Sequence, residues 1–171
     1  HAAWIVEVGG GIRRYVAGGG DVLDGYAEDE ICHSGRGQVL LPWPNRIRDG
    51  RYSFDGAERQ LALTDPPKHN AIHGLVRWAN WTVAERAGDR VTMACALHPQ
   101  PGYPHSLGLR VEYRLDGGSL TVGTTATNVG GEPCPFGAGA HPYLAVPGPT
   151  VDTATLLAPG GTRLVSDDRS I

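Results

Sequence analysis

Residues 107–115 carry Leu107, Leu109, Val111, Tyr113 and Leu115 at every odd position, with glycine, arginine or glutamate between them. A period of two places all five apolar side chains on one face of an extended strand, and no helix can do the same. Asp116, Gly117 and Gly118 follow as a turn, after which Leu120, Val122, Thr124 and Ala126 alternate again. The pair predicts an antiparallel β-hairpin.

The pattern recurs upstream. Residues 81–86 and 90–97 flank Ala87, Gly88 and Asp89, and residues 51–54 and 58–63 flank Asp55 and Gly56. A further hairpin is read from residues 5–8 and 12–16 around Gly9, Gly10 and Gly11. No stretch carries a sustained helical stripe, and 25 glycines and 13 prolines punctuate the chain. The expected fold class is therefore all-β, an antiparallel β-sandwich in one domain over residues 1–171. At 171 residues and 40% hydrophobic, the chain can bury a core.

The net charge of −3 leaves no electrostatic footprint for a polyanion, so no nucleic-acid partner is expected. No run of about 18 apolar residues occurs, so no membrane span is expected. No signal peptide is read at the start, residues 1–4 having no basic stretch ahead of an apolar one. Cys32, Cys95 and Cys134 are odd in number and widely spaced, which argues for free thiols in a reducing, cytoplasmic setting. Cys95 shares a face with Val91, Met93 and Leu97, so core packing is the expected role.

Chemistry concentrates in three segments. Pro42, Trp43 and Pro44 stiffen the backbone ahead of Asn45 and Arg46, which places a guanidinium fork on a rigid arm. His73 stands between Ile72 and Gly74, with Trp78 and Trp81 soon after; His141 stands between Ala140 and Pro142 after a glycine-rich approach. Imidazole exchanges protons near neutrality, its unperturbed pKa being about 6.5. Each residue also has a plainer reading, Arg46 as a surface arginine in a turn and either histidine as a hydrogen-bonded structural group. His33, His98 and His105 are expected to be solvated. His69 and His73 lack acidic or cysteine companions for a zinc site, and the glycine triplets lack the context of a phosphate loop.

With Asn45, Arg46 and Ile47, then Asn70 to Gly74, then His141, Pro142 and Tyr143 in that order, the chain resembles the aldose 1-epimerase family, the galactose mutarotase type. The resemblance runs from near Gly9 to the end and implies a large antiparallel supersandwich. It further implies an isomerase that interconverts the α and β anomers of free aldohexoses such as galactose or glucose, without metal or organic cofactor. Ring opening requires a base for the C1 hydroxyl proton and an acid for the ring oxygen. By resemblance His141 is the general acid, His73 bonds near the reacting oxygens, and Arg46, with Asn45, His73 and Tyr143, binds the sugar. Trp43 or Trp78 is a further candidate for its apolar face.

The resemblance also implies a glutamate base near the C-terminus and a sugar-holding aspartate ahead of it. Neither has a counterpart by Ile171, and Glu132 and Asp152 match neither role. The expectation is an N-terminal part of such a fold, incomplete at the C-terminus, with little activity alone and completed by a further segment or a homodimer. Two other readings stand beside it: a non-catalytic carbohydrate-binding or sugar-sensing module, and a hexose-phosphate mutarotase. The latter would need extra basic residues at the sugar's far end, for which Arg48 and Arg77 are candidates.

Overall fold

A computed structural model describes residues 1–146, 148 and 150–171. Its strands, in chain order, are β1 (Ala2–Ile5), β2 (Ile12–Ala17), β3 (Gly20–Asp21), β4 (Val39–Leu40), β5 (Arg46–Arg48), β6 (Arg51–Phe54), β7 (Ala57–Gln60), β8 (Asn70–Ile72), β9 (Thr82–Arg86), β10 (Arg90–Leu97), β11 (Leu107–Asp116), β12 (Ser119–Asn128) and β13 (Gly139–Ala140). Two short 3₁₀ turns, Pro66–Lys68 and Val151–Thr153, complete the regular structure, and no α-helix occurs among the described residues.

The strongest alternation builds the largest sheet, in the order β12-β11-β10-β9, every pair antiparallel. Leu107, Leu109, Val111 and Tyr113 are buried, while Arg110 and Arg114 between them are exposed. Each such apolar side chain stabilises the fold by about 1.5–3 kcal/mol when fully buried. The three-stranded sheet β1-β2-β3 faces this layer: Ile12 and Tyr15 share a core cluster with Val111 and Tyr113, and the Tyr113 hydroxyl donates to the Gly10 carbonyl at 2.8 Å. The chain is an all-β antiparallel sandwich, as expected. Cys95 packs half-buried against the cluster, beside buried Met93 and Leu97.

Three local expectations change. The first hairpin pairs Ala2–Ile5, rather than residues 5–8, with β2. Residues 7–9 instead find backbone partners at residues 79–81: Trp81 N–H donates to the Glu7 carbonyl at 2.8 Å and Gly9 N–H to the Ala79 carbonyl at 2.9 Å. On β12, Leu120 and Ala126 are half-buried but Val122 is exposed, where it lines an open groove with Ile12, Tyr15 and Val39. His105 is not solvated; it packs edge-on against Tyr103 and Phe54, with Nε2 buried.

Candidate active site

Strands β5 and β8 are too short to stand alone and are fixed by what surrounds them. They pair antiparallel with Arg46 opposite Ile72, which puts Asn45, Arg46 and His73 at one end of the ladder. Asn45 and His73 both adopt left-handed backbone (φ 52° and 62°), and the His73 N–H donates to the Asn45 carbonyl at 2.9 Å. Two non-glycine residues in that region, each costing of order 1 kcal/mol, turn the chain sharply where the polar side chains emerge. Gly74 is needed for a different reason: its φ is 74°, and a Cβ there would fall within the van der Waals shell of the Leu41 carbonyl.

His141 arrives from far along the chain. Strand β13 pairs with β4, Gly139 opposite Leu40 and Ala140 opposite Val39, and His141 follows at once. Its N–H donates to the Gln38 carbonyl at 3.3 Å and its carbonyl accepts from Gly37 N–H at 2.9 Å. The chain then leaves β4 through Leu41, whose carbonyl accepts the Leu75 N–H at 2.7 Å and which bridges Gly74. One buried segment, residues 39–41, therefore holds the approach to His141 on one side and the exit from His73 on the other.

The two imidazoles meet edge-to-face, ring centroids 5.3 Å apart and planes at 87°. Behind His141 the Tyr143 ring stacks almost parallel, at 5.2 Å and 14°. The Arg36 guanidinium lies over Tyr143 at 4.7 Å and is tied to Asp24 at 2.9 Å. Arg46 is held from the other side: its Nε donates to Asp65 at 2.7 Å, and Nη1 reaches the Asn45 side-chain oxygen at 3.3 Å. Asp65 is in turn locked to Asn70 by backbone bonds in both directions.

Burial pushes the His73 pKa down to about 4, and the neighbouring His141, Arg77 and Arg46 add to the effect against a smaller opposing pull from Asp65. His73 is thus neutral at pH 7. Its Nδ1 is buried without a hydrogen-bond partner, an arrangement that costs less for a lone pair than for an N–H and so favours the proton on Nε2.

Arg46, His73 and His141 come together, with Asn45 and Tyr143 beside them. A groove of ≈490 Å³, walled by Ile12, Tyr15, Val39, Val111 and Val122, ends at His141 and Pro142; Arg46 and His73 lie outside its wall. Of the tryptophans, Trp43 packs half-buried on the core, whereas Trp78 is 48% exposed with Arg77 over its ring at 5.6 Å. Glu132 and Asp152 are exposed and bond neither histidine. Among the described residues no three His, Cys, Asp or Glu side chains group as metal ligands.

Sequence reasoning passed over Asp65, Gln38 and Arg36. Asp65 leaves one trace, an acidic residue directly before two prolines and five positions ahead of Asn70. Gln38 and Arg36 leave none.

The profile of the aldose 1-epimerase family matches residues 2–171. The chain belongs to the aldose 1-epimerase family. Among its relatives, the uncharacterized protein YihR of Escherichia coli K12 is 34% identical over 98% of this chain and 55% of its own length. The galactose mutarotase of Sus scrofa is 34% identical over 60% of this chain and 31% of its own. The fold matches that of a GalM/aldose epimerase homologue from C. elegans, with a TM-score of 0.75 and 21% identity over 86% of this chain and 48% of that one. This aldose 1-epimerase family member thus spans about half the length of the relatives it matches.

Proposed function

We propose that the protein is an aldose 1-epimerase in activity, interconverting the anomers of a free aldohexose, and that this chain supplies the acid and sugar-binding side of the site. The observation that carries the reading is the edge-to-face pair of His73 and His141 with Arg46 beside it. Opening a cyclic hemiacetal moves one proton off the C1 hydroxyl and one onto the ring oxygen, and the free aldehyde then turns about C1–C2 and recloses. No nucleophile and no redox group is required, only proton-transfer groups around a held sugar.

In this reading His141 protonates the ring oxygen, its ring plane fixed by Tyr143. His73, kept neutral, offers an N–H to an oxygen near C1 rather than competing for the proton that His141 delivers. Arg46, aimed by Asp65, takes ring hydroxyls with its remaining N–H groups, joined by Asn45 and Tyr143. The base belongs, by family resemblance, to a carboxylate that this chain does not contain.

Polarimetry of freshly dissolved α-D-galactose with the native protein tests the proposal. The optical rotation should relax faster than in buffer, and His141→Asn should abolish the acceleration while sugar binding persists. A native protein that binds the sugar but never speeds its mutarotation would instead favour the sugar-sensing module.

A further inference from the structure

The β5–β8 ladder that delivers Arg46 and His73 is three residues long on each side, and the His73 N–H on the Asn45 carbonyl closes its site end. Its other end pairs Arg48 with Asn70, between two turns at Asp49 and His69 that are both left-handed (φ 54° and 55°). A side chain from far along the polypeptide closes that end. Arg169 Nη2 reaches the Asp49 carboxylate at 2.8 Å, the His69 carbonyl at 2.8 Å and the Asn70 side-chain oxygen at 2.9 Å. Its Nε donates to the Lys68 carbonyl at 3.1 Å. A planar fork of donors can bridge acceptors on two turns at once, which a point-like ammonium cannot.

The contact runs both ways. Asn70 is fully buried, and its Nδ2 donates to the Arg169 carbonyl at 3.1 Å, so both ends of its amide bond to one residue. Without Arg169 that buried amide loses its partners. The segment is tied down beside it as well: Asp167 takes Arg48 Nη2 at 2.7 Å, and its Oδ1 accepts the Arg169 and Ile171 N–H groups at 3.0 Å. From Asn70 the constraint passes to the site in two further links. Asn70 and Asp65 exchange backbone hydrogen bonds in both directions, at 2.9 and 3.3 Å, and the Asp65 carboxylate accepts Arg46 Nε at 2.7 Å. A displacement of Asn70 therefore displaces the carboxylate that aims Arg46.

Resting on the mutarotase reading above, we propose that Arg169 is a positioning residue for the sugar. By closing the outer end of the β5–β8 ladder it sets, through Asn70 and Asp65, the direction in which Arg46 meets the substrate hydroxyls. It acts through those residues and not on the sugar itself.

Calorimetric titration with galactose and with glucose tests this on the native protein, Arg169→Gln, Arg169→Lys, Asp65→Asn and the Arg169→Gln/Asp65→Asn pair, each at a temperature where circular dichroism shows it folded. Arg169→Gln should weaken sugar binding roughly tenfold, and Arg169→Lys should recover part of the loss. With Asp65→Asn already in place, Arg169→Gln should weaken binding little further, because the link it acts through is broken. A merely structural arginine would lower the melting temperature and leave the affinity of the folded protein unchanged. Where Arg169→Gln fails to fold, Arg169→Lys alone and paired with Asp65→Asn gives the same comparison. Native affinity in a folded Arg169 variant, or an undiminished loss on top of Asp65→Asn, overturns the assignment and leaves the mutarotase reading intact. Failure of the native protein to bind either sugar removes that reading and this one together.

Discussion

His73 and Asn45 are joined backbone to backbone, the His73 N–H donating to the Asn45 carbonyl at 2.9 Å, while both residues stand in left-handed conformations. This clasp closes the end of the β5–β8 ladder and fixes the angle at which the imidazole leaves the chain. Asparagine tolerates such a backbone better than most residues, so His73→Asn is the substitution that removes the ring and spares the turn. It should leave the melting temperature at neutral pH close to that of the native protein and weaken sugar binding. A calorimetric scan paired with a sugar titration separates the two effects.

The same imidazole gives the fold a pH signature. Its folded pKa of about 4 lies below the unfolded value near 6.5, so the unfolded chain gains the proton first. Stability from this group is full above about pH 6.5, declines as pH falls, and is lost once pH has passed through about 4. Asp49, held below the usual carboxylate range chiefly by Arg169, and Asp167, held down chiefly by Arg48, add their losses at lower pH still. The melting temperature should therefore fall between pH 6.5 and 4, and that slope should flatten in His73→Asn.

Asp65 aims Arg46. Replacing it with asparagine removes the carboxylate from a pair whose side chains are 21% and 15% exposed. The expected cost is about 1–3 kcal/mol in stability, from a charged hydrogen bond largely shielded from water. A loss of sugar affinity should accompany it, because the guanidinium is then free to turn. Denaturant unfolding and sugar titration on the same sample check both, and an affinity equal to the native value would remove Asp65 from the binding account.

Gly74→Ala should be among the most damaging single changes in the chain. Its positive φ disfavours any side chain, and the Leu41 carbonyl occupies the space a methyl group needs. The expected loss is about 2–4 kcal/mol. Since Gly74 follows His73 and bridges Leu41, the displacement should also separate the two histidine rings. Denaturant midpoints and histidine ring spectra of the variant report on each.

Much of this architecture is legible in residues 81–97 and 107–126, where alternation and turn residues agree and three of the four hairpins form as their spacing implies. The N-terminal hairpin departs from its expected register because the glycine triplet says where the chain can turn, not that residues 79–81 will pair with Glu7 and Gly9. The exposed Val122 has a similar origin, since alternation marks the inner face of β12 but not whether anything lies over it. The site is less legible. His73, His141 and Arg46 are nameable from their neighbours, yet their meeting depends on residues 39–41 serving two partners at once, and nothing in that apolar run announces it. Asp65 and Gln38 act through contacts that no local pattern encodes.

In the mutarotase reading one sugar touches both imidazoles. Histidine ring resonances followed by NMR during a titration with a free aldohexose test it within a single sample. The signals of His73 and His141 should move together and saturate at the same sugar concentration, while those of exposed His33 and His98 stay fixed. Stationary His73 and His141 signals, or movement of one ring without the other, would contradict it.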